Sequence, residues 1–137
     1  MLLIRMAREF LKMSIALIIA GTLSAICFGL HVFMGGREVA APLLAARDLG
    51  KRAKYVQYYC WHLVSISLFL MSVLFFWPAL FGGAGDLARL GSVMAALFAG
   101  WGILLPPMMR QAALTYRDLP QGWLFVPIAV VGFWGSF

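Results

Sequence analysis

The sequence predicts an all-α integral membrane protein, with four transmembrane helices in an up-down bundle joined by short loops. Three observations predict it. Apolar residues make up 64% of the 137, only 12% are charged, and the mean hydropathy is +0.93, outside the usual soluble composition. The apolar residues fall into four blocks, about 13–34, 57–81, 87–105 and 120–137. A helix needs roughly 20 apolar residues to cross about 30 Å of hydrocarbon, so the chain is one four-span domain. The charges lie almost entirely between the blocks.

Residues 1–12 carry Arg5, Arg8, Glu9 and Lys12 among Leu, Ile, Met and Phe, a basic amphipathic lead-in suited to the headgroups. A secretory signal would begin similarly. The apolar run that follows is long, and Cys27 lacks the small preceding residue a lipobox needs, so the segment reads as retained. In the first span Gly21, Ala25 and Gly29 stack on one helix face, and Ala20, Ser24, Cys27 and His31 form an adjacent, more polar stripe. Small residues let helix backbones approach in lipid, so both stripes are expected to face protein.

Residues 35–56 read as an interfacial basic loop, with Arg37, Arg47, Lys51, Arg52 and Lys54 against Glu38 and Asp48. Gly35-Gly36 is expected to stop the first helix, and Pro42 to start a short turn that lays Leu43, Leu44 and Leu49 on the interface. Tyr55, Tyr58, Tyr59 and Trp61 then form an aromatic belt where the second span enters, and Trp77 marks the opposite interface. Gly82-Gly83-Ala84-Gly85 is a tight turn, Asp86 a cap for the third span, and Arg89 lies in its first turn. Gly91, Ala95 and Ala99 repeat the small-residue stripe, and Pro106-Pro107 is expected to end the span. After a polar connection over 110–118, Pro120 opens a fourth span with Trp123 as its anchor and Pro127 as a kink. At about 18 residues that span covers roughly 27 Å and barely crosses.

The net charge of +6 comes from residues that flank spans, which points to anionic lipid headgroups and away from nucleic acid. Arg37, Arg47, Lys51, Arg52, Lys54, Arg110 and Arg117 lie on the side of loops one and three; Arg5, Arg8, Lys12 and Arg89 lie on the other. The bias places loops one and three in the cytoplasm and both termini outside.

Antiparallel pairing of the first two spans sets His31 and His62 at similar depth, with Gly21 near Ser72. Cys27 shares the face of His31, so His31, His62, Cys27 and Glu38 are the candidate ligands of a transition metal or of haem b. The competing reading is that both imidazoles hydrogen-bond near the headgroups and hold the hairpin together. A porphyrin fits poorly where small residues invite close approach. Cys60 faces away from His62 on a regular helix. Gly35-Gly36-Arg37-Glu38 lacks the GxGxxG or Walker pattern of a phosphate loop, and Met34, Met108 and Met109 read as packing residues. No Ser-His-Asp, HExxH, paired-carboxylate or CxxC arrangement is present, so no enzyme is indicated. No charged residue lies at the centre of a span, unlike the small multidrug transporters with their membrane-embedded glutamate.

The pattern His31-x-Phe33-x-Gly35-Gly36-x-Glu38, then Pro42-Leu43-Leu44, Cys60-Trp61-His62, and Leu119-Pro120-Gln121 through Pro127-Ile128 resembles small bacterial four-span membrane proteins that carry no assigned activity. The resemblance covers most of the chain and implies the bacterial cytoplasmic (inner) membrane. Together these readings predict a non-enzymatic accessory or structural subunit, packed against other membrane subunits or in a homo-oligomer. A metal- or haem-binding redox protein is the alternative, and an oligomeric channel or transporter the third.

Overall fold

The computed structural model describes residues 1–83, 85–109 and 115–137, with only the backbone of Ala7. These residues are 87% helical and include no strand. The order is α1 (Leu2–Leu30), a π-helical segment (His31–Ala40), α2 (Ala41–Ala45), α3 (Lys51–Phe81), α4 (Gly85–Met108) and α5 (Gln121–Gly135). Leu2–Ala45, Lys51–Phe81 and Gly85–Met108 are each long and apolar enough to cross a membrane.

The expected interfacial loop over 35–56 is largely helical. Gly35-Gly36 does not stop the first helix, which runs on through the π segment into α2, and α3 already begins at Lys51. A helix broken near lipid would leave several backbone groups without partners, which glycine's weak helix preference does not outweigh. Pro42 does sit in the first turn of α2, and the widening ahead of it follows from its ring: proline has no N–H and crowds the carbonyl four residues back. The Ala41 N–H correspondingly reaches Gly36 O, five residues back.

Pro106-Pro107 likewise lies inside α4, which ends at Met108, not at 105. Pro107 cannot donate to Ile103 O, and the Tyr116 hydroxyl donates to that carbonyl instead at 3.0 Å. Gly85 already starts α4, so Asp86 lies in the first turn, where its carboxylate complements the helix dipole and pairs with Arg89 at 2.9 Å. Pro120 opens α5 as expected, accepting the Trp123 N–H at 3.1 Å. The expected fourth span proves shorter: α5 has 15 residues, roughly 22 Å. Arg110, which entered the charge comparison, lies outside the described residues.

Packing runs α1 on α3, α3 on α4, α4 on α5 and α5 back on α1. Gly21 faces the Phe76 ring, Phe28 meets Phe69 at 5.9 Å, and Gly91 faces Leu74 and Phe75, which makes successive helices antiparallel. The expected 31-to-62 register is thus kept near the hairpin end and slips by about one turn at Gly21. Leu17, Ala20, Leu68, Met71, Phe75, Ala88, Ala95, Phe125 and Ile128 fill the centre.

The small-residue stripes divide. Gly91, Ala95 and Ala99 are buried as expected, and Gly21 is pressed against Phe76. Gly29 is a correction: a Cβ there would meet nothing within 4 Å, and Ala25 only borders a groove with Phe28, Phe69 and Ser72. In the adjacent stripe Ala20, Ser24 and Cys27 are buried and His31 half-buried, and Leu17 extends the buried line one turn back, because this face of α1 meets α3 and α5 together. Four further glycines set helix spacing. A Cβ on Gly102 would stand 2.6 Å from Gly122 Cα, one on Gly132 2.5 Å from Phe75 and Ser92, and one on Gly135 2.8 Å from Leu17. The buried serines spend their hydroxyls on their own helices, Ser24 to Ala20 O at 2.9 Å, Ser72 to Leu68 O at 3.1 Å and Ser92 to Ala88 O at 2.8 Å.

Candidate functional site

The π segment continues α1 and, with α2, packs on α3, so the first hairpin carries its own tip. At its base lies a cluster of rings from both strands of the hairpin. His31 stacks on Trp61 with centroids 4.7 Å apart and an interplanar angle of 22°. His62 meets Trp61 edge-on at 5.0 Å, and Tyr58 meets His62 edge-on at 4.6 Å. The indole lies against the π segment, close enough that a Cβ on Gly35 would stand 3.8 Å from its nitrogen and one on Gly36 4.0 Å from its benzo ring. Two consecutive glycines leave a flat backbone surface, and the tryptophan occupies it.

His31 Nε2 is 3.2 Å from Trp61 O, and a carbonyl can only accept, so Nε2 carries the proton. The Ser65 hydroxyl donates to the same oxygen at 3.2 Å. The imidazole therefore joins the start of the π segment to the α3 backbone.

Both histidines touch one tryptophan, as expected from their matching depth. The candidate ligands His31, His62, Cys27 and Glu38 are not brought together as one set. His31 has committed its Nε2 to a carbonyl, Glu38 is exposed on the π segment, and Cys27 is buried one turn before His31, facing the core. Among the described residues no three His, Cys, Asp or Glu side chains gather closely enough to hold a metal ion. Glu38 lies on the continued helix, two residues past Gly36. Cys27 and Cys60 are both free, and Cys60 is exposed.

The aromatic anchors occupy the expected ends of α3. Tyr55 and Tyr59 are exposed, Tyr58 and Trp61 half-buried against the histidines, and Trp77 is exposed at the far end, tilted onto Phe81 at 4.8 Å. Trp123 is exposed at the start of α5, with Tyr116 6.0 Å away. Sequence reasoning missed Tyr116, although Pro107 removes the usual donor to Ile103 O and so signals that another is needed. It also missed Lys54, which donates to Leu44 O at 3.0 Å and closes the tip over Ala46–Gly50. In the connection before α5, Thr115 donates from its hydroxyl to Asp118 at 2.7 Å and from its backbone N–H at 2.9 Å, which holds that carboxyl below its usual range.

No protein family, curated protein or solved structure matches this chain.

Proposed function

We propose that the protein is a four-span, non-enzymatic subunit of the bacterial cytoplasmic membrane, an accessory or structural component that packs laterally against itself or another membrane protein. The observation that carries the reading is how the interior is filled. Alanine, glycine, serine and large apolar side chains occupy it, and among the described residues no buried side-chain polar atom lacks a partner. The protein's remaining chemistry therefore lies on its surface.

A short α5 fits this reading. Trp61 and Trp77 stand roughly 24 Å apart along α3 at 1.5 Å per residue, close to the roughly 22 Å of α5. A bilayer thinned to that span lets α5 cross with Trp123 as its anchor at the entry. Loops one and three then face the cytoplasm, as the Lys and Arg bias favours. A cysteine placed at Asp48, in a chain whose Cys27 and Cys60 are serine, should react with an impermeant maleimide only after the cells are permeabilised. Labelling of intact cells would reverse the orientation.

Extraction from the native membrane without detergent, in polymer-bounded discs, tests the association. Particles should contain more protein mass than one 15.1 kDa chain. Discs holding one copy and no other protein would overturn the proposal.

A further inference from the structure

The first turns of α3 carry a face that the fold does not use. Lys51, Arg52, Tyr55, Val56 and Tyr59 line one shallow concavity of about 550 Å³. Lys51, Tyr55 and Tyr59 recur every four residues and so share one face of the helix. Tyr55 is 56% exposed and Tyr59 63%, so both phenol rings are left free of protein packing. The neighbouring cation is differently employed, because Lys54 turns back to Leu44 O. Among the described residues the ion pairs are Lys12 with Glu9 and Arg89 with Asp86, so Lys51 and Arg52 carry uncompensated charge.

Along this face, polarity changes in the order of a phospholipid. Two cations stand at the outer end, two phenols and a valine follow, and Trp61 lies half-buried just below. Phosphate matches Lys51 and Arg52, Arg being able to bind it through two parallel N–H groups. The phenol rings suit the glycerol level, where one end of a ligand is wet and the other apolar. An acidic protein segment would satisfy the cations and leave Val56 and Tyr59 against water or headgroups.

We propose that Lys51, Arg52, Tyr55 and Tyr59 form a binding site for the headgroup of an anionic phospholipid, phosphate on the two cations and glycerol against the phenols. The site lies at the leaflet that the hairpin tip meets, so it rests on α3 crossing a bilayer and not on any lateral partner.

Native mass spectrometry of the full chain, released from detergent and titrated with phosphatidylglycerol or phosphatidylcholine of equal acyl length, tests it. Phosphatidylglycerol should bind about tenfold more tightly. The pair Lys51→Gln and Arg52→Gln should remove that preference, and Tyr55→Phe with Tyr59→Phe should weaken it a few-fold. Arg5→Gln with Arg8→Gln, at the other end of the molecule, should leave it unchanged. Circular dichroism on each variant reports the fold, the replaced side chains being exposed. Equal binding of both lipids, or an equal loss from the Arg5 and Arg8 pair, overturns the site. Glycerol 3-phosphate that competes at the phospholipid's own concentration would assign it to a free phosphate, and a polyglutamate peptide that binds where the lipid does not would assign it to an acidic partner; either result overturns the lipid.

Discussion

His31 donates from Nε2 to Trp61 O at 3.2 Å while its ring stacks on the same residue's indole at 4.7 Å. One side chain thus makes a polar and an aromatic contact across the first hairpin. Replacing it by leucine keeps bulk and removes both. The loss should be about 1–3 kcal/mol, combining a hydrogen bond of about 1 kcal/mol with an aromatic pair of about 0.5–1.5 kcal/mol. Unfolding in mixed micelles, followed by far-ultraviolet circular dichroism, measures it. His62→Leu, which removes edge contacts without a cross-hairpin hydrogen bond, should cost less.

Glycine substitutions should separate spacing glycines from idle ones. Gly102→Ala drives a methyl group to within 2.6 Å of Gly122, where backbone faces backbone and no side chain can swing aside. It should destabilise by at least about 2 kcal/mol, as overpacking does when nothing can give. Gly29→Ala meets nothing within 4 Å and should stabilise by roughly 0.5–1 kcal/mol through the backbone freedom it removes. Chemical unfolding of both in one detergent gives the comparison, and equal effects would refute the assigned α4–α5 contact.

This contrast marks how far the sequence could be read. That the apolar blocks are helices, that His31 and His62 come to similar depth, and that the Gly91, Ala95 and Ala99 stripe is buried follow from local composition and helical periodicity, and the structure repeats them. Gly29 is indistinguishable from Gly21 by spacing alone. Which one is pressed depends on where Phe76 lands, a long-range fact. Gly35-Gly36 misled for another reason: glycine's helix-breaking tendency is calibrated in water, and here the backbone's need for internal hydrogen bonds is stronger.

Tyr116 should matter more than its 43% exposure suggests. Its hydroxyl serves Ile103 O, whose normal donor is missing because residue 107 is proline. Tyr116→Phe should cost about 1 kcal/mol, while Pro107→Ala with Tyr116→Phe should recover much of it by restoring the N–H. A double-mutant cycle reads the coupling, and strict additivity would show that the hydroxyl is not that carbonyl's donor.

Asp118 gives a pH dependence of fixed sign. Donation from the Thr115 hydroxyl, and then from its N–H, lowers the carboxyl's pKa in the folded chain. A group depressed on folding contributes stability above its unfolded pKa and loses it as pH falls through the folded value. Order in the connection before α5 should therefore persist to a lower pH than an unpaired aspartate would allow. Thr115→Val, which removes the larger cause, should raise the Asp118 titration midpoint towards that of a free aspartate. Carbon-detected NMR of the carboxyl measures both chains, and identical midpoints would refute the hydroxyl's role.

The π segment offers the last test, because its cause is assigned to a single residue. Pro42 has no N–H, and its ring crowds the carbonyl of Glu38, so the helix ahead of it widens and Ala41 bonds back to Gly36. With Pro42→Ala the N–H returns and the strain is relieved, so 31–40 should tighten towards an α-helix. Each residue that moves from a five-residue to a four-residue hydrogen bond changes the angular setting of everything after it. His31 stands at the segment's first residue, directly continuous with α1, and keeps its place on Trp61. Leu44 follows it and should turn away from Lys54, whose ammonium now holds the Leu44 carbonyl at 3.0 Å. Trapping with a short bismaleimide between cysteines at 44 and 54, the reach of a lysine side chain, with Cys27 and Cys60 replaced by serine, should therefore be efficient with Pro42 present. It should drop several-fold with alanine there, while the fluorescence of Trp61 stays as it was. Unchanged trapping would mean that Gly35-Gly36, and not the proline, sets the wider helix.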